Sequence, residues 1–276
     1  MRLIVQGAEV ETRDLKELAR LTGAAGIEQT APNVFRLAGA QPDAGVAALC
    51  EAARLDYGYV PEGQRLADFG LLVMDMDSTL IAIECIDEVA DLAGIKPQVA
   101  QITAAAMRGE LDYAESLRQR VALLAGVEVA RFQEVYDRRL VLNPGAERLL
   151  AGVKAAGLRT MLVSGGFTFF TDRLRERLGF DYATSNTVEI AGGRLTGRVL
   201  GDIIDADGKA LWLARMANEL ALTASAVIAI GDGANDLKMM AAAGVSVAYR
   251  AKPVVRERAT YQINFVGLDG ILHLFA

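Results

Sequence analysis

The chain has 276 residues, 52% of them hydrophobic and 23% charged, with 29 basic against 35 acidic side chains and a formal net charge of -6. That length and apolar content suit one large domain or two modest ones around a sizeable core and exclude a disordered chain, while the acidic balance offers no electrostatic footprint for nucleic acid. Cys50 and Cys85 cannot build a disulfide framework or a Cys-rich zinc site, and His273 is the sole histidine, so a Ser-His-Asp or Cys-His mechanism would hang on one near-terminal residue.

The opening apolar stretch is too short for a signal-peptide core, and no run approaches the ~18 apolar residues of a membrane helix. The expectation is a cytoplasmic protein with no membrane partner. Residues 2–5 read as a strand, 14–21 as a helix carrying Leu15, Leu18 and Leu21, and 26–29 and 34–37 as strands around Ala31-Pro32-Asn33, which is turn chemistry. A helix over 44–55 and a strand over 57–60 complete the order βαββαβ, a small α+β ferredoxin-like sandwich that resembles the amino-acid-sensing ACT type. Dimerisation (a homodimer among the options), ligand sensing and scaffolding are all open for it. Pro61-Glu62-Gly63-Gln64 contains both strong breakers and sets the boundary between residues 1–64 and 65–276.

The second unit opens with Leu71-Leu72-Val73-Met74, four apolar residues without alternation, as expected of a strand buried on both faces in a parallel sheet. It stops at Asp75-Met76-Asp77-Ser78-Thr79. Ligands in such sheets sit beyond the carboxyl ends of the strands. An acidic turn without function has the same local pattern, so the stretch alone does not decide. Residues from about 86 to 142 show only helical periodicities, over 86–92, 99–107, 113–124 and 129–140, with Gly94, Gly109 and Gly126 as breaks. A helical cap inserted after the first strand would lie over that strand's end and could serve as a lid. Beyond Asn143-Pro144-Gly145, a helix over 146–155 leads to a strand over 159–163 that runs into Ser164-Gly165-Gly166 and a helix over 167–178. Exposed amides in such a place suit an anion. Residues 187–190 and 194–199 read as a β-hairpin, Gly208-Lys209 opens a helix to about 220, and a strand over 226–230 delivers Gly231-Asp232-Gly233-Ala234-Asn235-Asp236 before a helix over 237–243. Further strands fall at 245–248 and 261–264. The alternation predicts an α/β fold with a doubly wound, Rossmann-like parallel sheet.

Spacing excludes several chemistries. An EF-hand starting at Asp75 would need Gly and Glu where Leu80 and Ile86 stand; no P-loop or dinucleotide-binding glycine pattern occurs; and Leu162 replaces the glycine of a nucleophile elbow before Ser164. What remains is a carboxylate group, Asp75, Asp77, Asp232 and Asp236, with Ser164 and Lys209. Converging acids without a cation would repel one another, so a hard divalent ion is implied, and Mg2+ fits best because it takes one or two carboxylates and leaves positions for water and phosphate oxygen. A phosphoryl group is the natural ligand, and a carboxylate can serve as its covalent acceptor.

Asp75-Met76-Asp77-Ser78-Thr79, Ser164-Gly165-Gly166, Lys209 and Gly231-Asp232-Gly233-Ala234-Asn235-Asp236 resemble, in order, the four motifs of the haloacid dehalogenase-like phosphatases. Glu84, together with Met107, Tyr113 and Ser116-Leu117-Arg118-Gln119-Arg120 in the insertion, resembles the phosphoserine-hydrolysing branch in particular; Tyr113 stands where that pattern often has Phe. The resemblance implies that Asp75 is the nucleophile and Asp77 the acid/base, and that Mg2+ is held by Asp75, the Asp77 carbonyl and Asp232 with help from Asp236. It further implies that Ser164, Gly165, Lys209 and Asn235 serve the phosphoryl group. For the rest of a phosphoserine substrate, Glu84 suits the ammonium and Arg120 the carboxylate, with Met107 and Tyr113 in the lid. The implied reaction is hydrolysis of O-phospho-L-serine through an aspartyl phosphate, the last step of L-serine biosynthesis. Two alternatives stay open: transfer of the same phosphoryl group to another hydroxyl, and a non-catalytic amino-acid sensor.

Overall fold

The computed structural model describes Met1 to Phe275. At the amino end, β1 (Arg2–Gly7), α1 (Thr12–Thr22), β2 (Gly26–Ala31), β3 (Val34–Ala38), α2 (Ala44–Ala53) and β4 (Leu55–Val60) form a four-stranded antiparallel sheet in the order β2-β3-β1-β4. The expected βαββαβ order is present. Several boundaries differ from the sequence reading by one or two residues, and two of the differences have a clear backbone cause. Residues 54–55 are not helix, because Arg54 adopts a left-handed conformation (φ 55°) that closes α2 and lets β4 start at Leu55. The β2 strand also runs on to Ala31, since Asn33 at φ 55° makes the turn tighter than the expected one.

Every residue of β1 is buried. Leu3 and Val5 point to Leu15, Leu18, Val46 and Cys50 of the two helices, whereas Ile4, with Val34 and Val60, joins Tyr261, Leu268 and Phe275 from the carboxyl end of the chain. One face of the small sheet is therefore a core shared with the rest of the molecule. Asp56, 2% exposed, seals that junction by accepting the backbone N–H groups of Asn264, Phe265 and Val266 at 2.6, 2.9 and 2.9 Å.

The second sheet begins with β5 (Leu71–Met74). The chain then runs through α3 (Cys85–Leu92), α4 (Lys96–Met107), α5 (Tyr113–Leu123) and α6 (Val129–Arg138), and returns via α7 (Ala146–Ala155) to β6 (Arg159–Phe167). Next come α8 (Thr168–Leu178), the hairpin β7 (Tyr182–Ala191) and β8 (Arg194–Leu200), and α9 (Ala206–Glu219). β9 (Val227–Gly231), α10 (Leu237–Ala241), β10 (Val245–Tyr249), α11 (Pro253–Arg256), β11 (Tyr261–Ile263) and α12 (Gly270–Leu274) close the chain. The seven strands lie in the order β11-β10-β9-β5-β6-β7-β8, all neighbours parallel except β7 with β8. The parallel α/β sheet expected from sequence is thus built, with β5 at its centre.

The unbroken apolar run of β5 has the cause proposed for it: Leu72 and Met74 pack with Leu149, Leu150 and Phe170 on one face, and Leu71 and Val73 with Leu213, Met216 and Met239 on the other. Strand β6 extends further than expected, through Ser164-Gly165-Gly166, with an irregularity between Val163 and Phe167. Among the described residues no helix is long and apolar enough to cross a membrane.

Replacing Asp56 by Ala strands three backbone donors at the junction of the two sheets, and each unpaired buried group costs about 1–3 kcal/mol. Asp56→Ala is expected to lower unfolding stability by about 3 kcal/mol, read by chemical denaturation. A loss of only a few tenths would show that the junction does not depend on this carboxylate.

Candidate active site

The parallel strands bring their carboxyl ends to one edge of the sheet. Asp75 follows β5 directly, its N–H still bonded to the Ile230 carbonyl of β9 at 3.0 Å, so the position of its side chain is set by the sheet itself. Its Oδ1 accepts the N–H of Met76 at 2.8 Å. The chain then coils through residues 76–80, with Ser78 at φ 57°, an uncommon conformation for a residue with a side chain. Asn143 secures this coil by donating to the carbonyls of Thr79 (2.8 Å) and Ile81 (3.2 Å), so the residue read as a turn at the end of the insertion is also a clasp. Asp77 Oδ1 accepts the Cys85 N–H at 3.0 Å. Ser78 Oγ donates to Glu84 Oε1 at 2.8 Å, and Thr79 Oγ1 to Asp232 Oδ1 at 2.9 Å.

Lys209 arrives from α9, whose first turn is capped by Asp205 accepting the Gly208 N–H at 2.9 Å. Its ammonium, 1% exposed, lies 2.7 Å from Asp75 Oδ1 and 2.7 Å from Asp236 Oδ1. The other oxygen of Asp236 accepts the N–H groups of Asp232 and Gly233 at 3.1 and 3.0 Å. An ammonium has three donors, so one is left over for a further oxygen.

A cavity of about 440 Å³ opens beyond these strand ends, lined by Asp75, Asp77, Ser164, Gly165, Lys209, Asp232 and Asn235 from the sheet and by Glu84, Met107, Tyr113 and Arg120 from the cap side. Of the residues expected to serve catalysis, substrate or metal, Asp236 alone lies behind the wall, fully buried. Met107, 74% exposed, stands at the rim. Tyr113 bridges cap and sheet: its hydroxyl donates to the Gly165 carbonyl at 3.0 Å. A Cβ on Gly165 would run into that hydroxyl unless the Tyr113 side chain shifted, so glycine lets the two groups sit this close. Arg118 is exposed, and His273 lies away from this cavity, beside the junction loop 266–270. Both cysteines are free and buried.

The cavity is electrostatically tense. Burial pushes Asp75 well above the ordinary carboxylate range, Asp236 adds to the push, and Lys209 opposes it. Burial and then Glu84 raise Asp77 to about 7; burial and then Asp236 raise Asp232 to about 6. Glu84 is exposed to the cavity yet surrounded by protein, and the resulting loss of solvation raises it despite the Ser78 hydroxyl. For Lys209 burial acts downward, but Asp236 and Asp75 outweigh it and hold the ammonium protonated. Tyr113 is moved by burial to about 12 and remains a donor.

Buried carboxylates that face one another disfavour each other's ionised form, and a divalent cation between them would favour it. Ligand atoms of Asp75, Asp232 and Asp236 lie within 4.8 Å of one another. Asp236 has both oxygens engaged, whereas Asp75 and Asp232 each keep one without a hydrogen bond. The donor set therefore fits a divalent cation held mainly by Asp75 and Asp232 with Asp236 supporting them.

Sequence reasoning missed Lys252, whose side chain lines the cavity and whose N–H donates to the Asp232 carbonyl at 3.1 Å. It follows β10, so the strand-end rule could have found it. It also missed the Thr79 contact with Asp232, the Asn143 clasp, and Asn186, which bonds Gly165.

Residues 72–241 match the haloacid dehalogenase-like hydrolase family. The chain belongs to that family. Residues 3–46 of this hydrolase match a separate domain of unknown function. A phosphoserine phosphatase of Polaromonas sp. is 59% identical over 215 residues, 76% of this chain and 91% of the relative. The crystal structure of a probable phosphoserine phosphatase from Vibrio cholerae superposes with a TM-score of 0.88 at 38% identity, covering 99% of this hydrolase and 86% of that chain. A phospho-aspartyl intermediate analogue of phosphoserine phosphatase superposes at 0.70 with 36% identity, over 75% of this chain and 99% of the other.

Removing the ammonium from between two buried carboxylates leaves them unpaired, a loss of about 3–5 kcal/mol. Lys209→Met is expected to be destabilised by that order in chelator-treated protein and by clearly less when Mg2+ is added, because the ion restores positive charge beside Asp75. Equal destabilisation with and without the ion, in parallel thermal unfolding scans, would contradict a cation site here.

Proposed function

We propose that this hydrolase is a Mg2+-dependent phosphoserine phosphatase, converting O-phospho-L-serine and water to L-serine and phosphate through an aspartyl phosphate on Asp75. The observation that carries the reading is the composition of one cavity. Asp75, Asp77, Ser164 and Lys209 lie at its sheet end, and a carboxylate, Glu84, and a guanidinium, Arg120, line its cap side. A small substrate with a phosphate, an ammonium and a carboxylate has a partner for each charge there, and a closed site must pair all of them.

Asp75 attacks phosphorus through a carboxylate oxygen, with the Lys209 ammonium 2.7 Å from Oδ1 to offset the charge that builds there. Asp77, raised to about 7, carries a proton to give to the departing serine alkoxide. Its carboxylate then takes a proton from the water that cleaves the acyl phosphate, which restores Asp75. Ser164 and Lys209 hold phosphoryl oxygens, and Asn235 orients the same region. A Mg2+ ion held by Asp75, the main-chain carbonyl of Asp77 and Asp232 would supply charge that lets a phosphate dianion approach a carboxylate. Glu84 pairs the substrate ammonium, Arg120 forks onto its carboxylate, and Met107 and Tyr113 close the lid.

We place the boundary at residues 61–64, with an ACT-like unit over 1–64 and the phosphatase with its cap over 65–276, working in the cytoplasm. The core that Ile4, Val34 and Val60 share with Tyr261 and Phe275 favours a scaffold over a freely moving sensor.

A panel of phosphorylated amino acids, sugars and nucleotides tests the reading. Phosphate release is expected to be fastest from O-phospho-L-serine, to require Mg2+, and to be unaffected by added alcohol acceptors. Arg120→Ala is expected to lower kcat/KM for phosphoserine about 100-fold and for an aryl phosphate by no more than about threefold, since only the former offers a carboxylate. Equal losses on both substrates would remove Arg120 from substrate choice, and turnover of a sugar phosphate but not phosphoserine would overturn the assignment.

A further inference from the structure

Asn186 lies on β7, outside the cavity lining, and is 1% exposed. Its Nδ2 donates to the Gly165 carbonyl at 2.9 Å and reaches the Ile204 carbonyl at 3.5 Å, while its Oδ1 accepts the Ile204 N–H at 2.8 Å. These partners fix the orientation of the amide, because the flipped group would set oxygen against the Gly165 oxygen and NH2 against an N–H. One side chain thus ties the strand that carries Ser164 to the segment that leads into α9 and Lys209.

The Gly165–Gly166 peptide is trans and planar, so its C=O and N–H point in opposite directions. The carbonyl is drawn by Asn186 and by the Tyr113 hydroxyl at 3.0 Å. The N–H on the other edge donates to Ser164 Oγ at 2.8 Å. A serine hydroxyl has one proton to give. With Gly166 supplying the bond that Oγ accepts, that proton is kept for a ligand oxygen in the cavity.

We propose that Asn186 is a positioning residue for the phosphoryl site: it sets the Gly165–Gly166 peptide plane and, through it, holds the Ser164 hydroxyl as a donor to a phosphoryl oxygen. Tyr113 adds a second hold on the same carbonyl from the cap, so closure of the cap and readiness of Ser164 are linked through one peptide group. This assignment rests on the phosphatase reading for its kinetic consequences, but its geometry requires only that an oxyanion bind beside Ser164.

The test is a double-substitution cycle. Asn186→Asp keeps the side chain's size and the acceptor for the Ile204 N–H while removing the donor to Gly165; Asn186→Ala is the second variant should the carboxylate impair folding. Each is made alone and with Ser164→Ala, and thermal unfolding verifies that all the proteins are folded. Loss of one preorganised donor to a developing oxyanion lowers turnover about 100-fold. Ser164→Ala is expected to show a loss of that order, and the Asn186 variants roughly a tenfold loss, on phosphoserine and aryl phosphate alike. In the Ser164→Ala background the Asn186 substitution is expected to cost less than about twofold more, since residues acting through one group are not additive. Affinity for inorganic phosphate with Mg2+, measured by calorimetry, is expected to follow the same pattern without needing turnover. Multiplicative losses, or an Asn186 variant with wild-type phosphate affinity and kcat/KM and only a lowered Tm, would overturn the assignment and leave the phosphatase reading intact. A wild type that binds phosphate in this pattern but does not hydrolyse phosphoserine would overturn the substrate and support Asn186. A wild type that binds no phosphate and hydrolyses no phosphomonoester would overturn both.

Discussion

Lys209 holds three distant parts of the chain to one point. Its ammonium, almost fully buried, sits 2.7 Å from Asp75 after β5 and 2.7 Å from Asp236 after β9, while the helix that carries it starts from Asp205. A buried charge is tolerated only when paired, and here each group needs the others: two carboxylates without Lys209 would repel, and Lys209 without them would be driven to lose its proton. The surrounding contacts follow from this constraint. Asp236 spends its remaining oxygen on the Asp232 and Gly233 N–H groups, which shapes the turn after β9 and leaves Asp232 to face the cavity with Thr79 as its partner. The result is a tightly hydrogen-bonded site in which burial raises Asp75, Asp77 and Asp232. A divalent ion between Asp75 and Asp232 would favour their ionised forms, a physical ground for a cation site that stands apart from family membership.

The cap answers a different requirement. The sheet end supplies machinery that any phosphomonoester could use, whereas Glu84 and Arg120 present opposite charges around the same cavity. Tyr113 fastens the start of α5 to the strand that carries Ser164. Since a hydroxyl there makes a bond that a Phe cannot, the departure from the family pattern noted in the sequence has a structural consequence: the cap and the Ser164-Gly165-Gly166 strand end are joined by a hydrogen bond as well as by packing.

The polar strand ends were legible because three apolar runs, before Asp75, Ser164 and Gly231-Asp232, stop abruptly, and a parallel sheet gathers such ends on one edge. The four-helix insertion was legible from periodicity and glycine breaks, and the βαββαβ order from alternation and one proline turn. Glu84 and Arg120 came from the family resemblance, since a charge on a helix carries no local sign of what it pairs with. The break at Arg54 was hidden because a left-handed turn there uses Arg where Gly or Asn would have announced it. The extension of β6 through Ser164-Gly165-Gly166 was hidden because glycines read as loop. Asn143 and Asn186 were hidden for a deeper reason: their roles lie in bonds to carbonyls 64 and 21 residues away, which no local pattern encodes.

The proposed reaction requires Asp75 to become covalently phosphorylated in a site balanced by Lys209 and a divalent ion. The most direct measurement is to quench the enzyme during turnover of phosphoserine with Mg2+, reduce the acyl phosphate with borohydride, and locate the modified residue by peptide mass spectrometry. Reduction of the Asp75 side chain to its alcohol is expected, dependent on substrate and Mg2+ and absent from Asp75→Asn. Modification at Asp77, at Asp232 or at no residue during active turnover would contradict it.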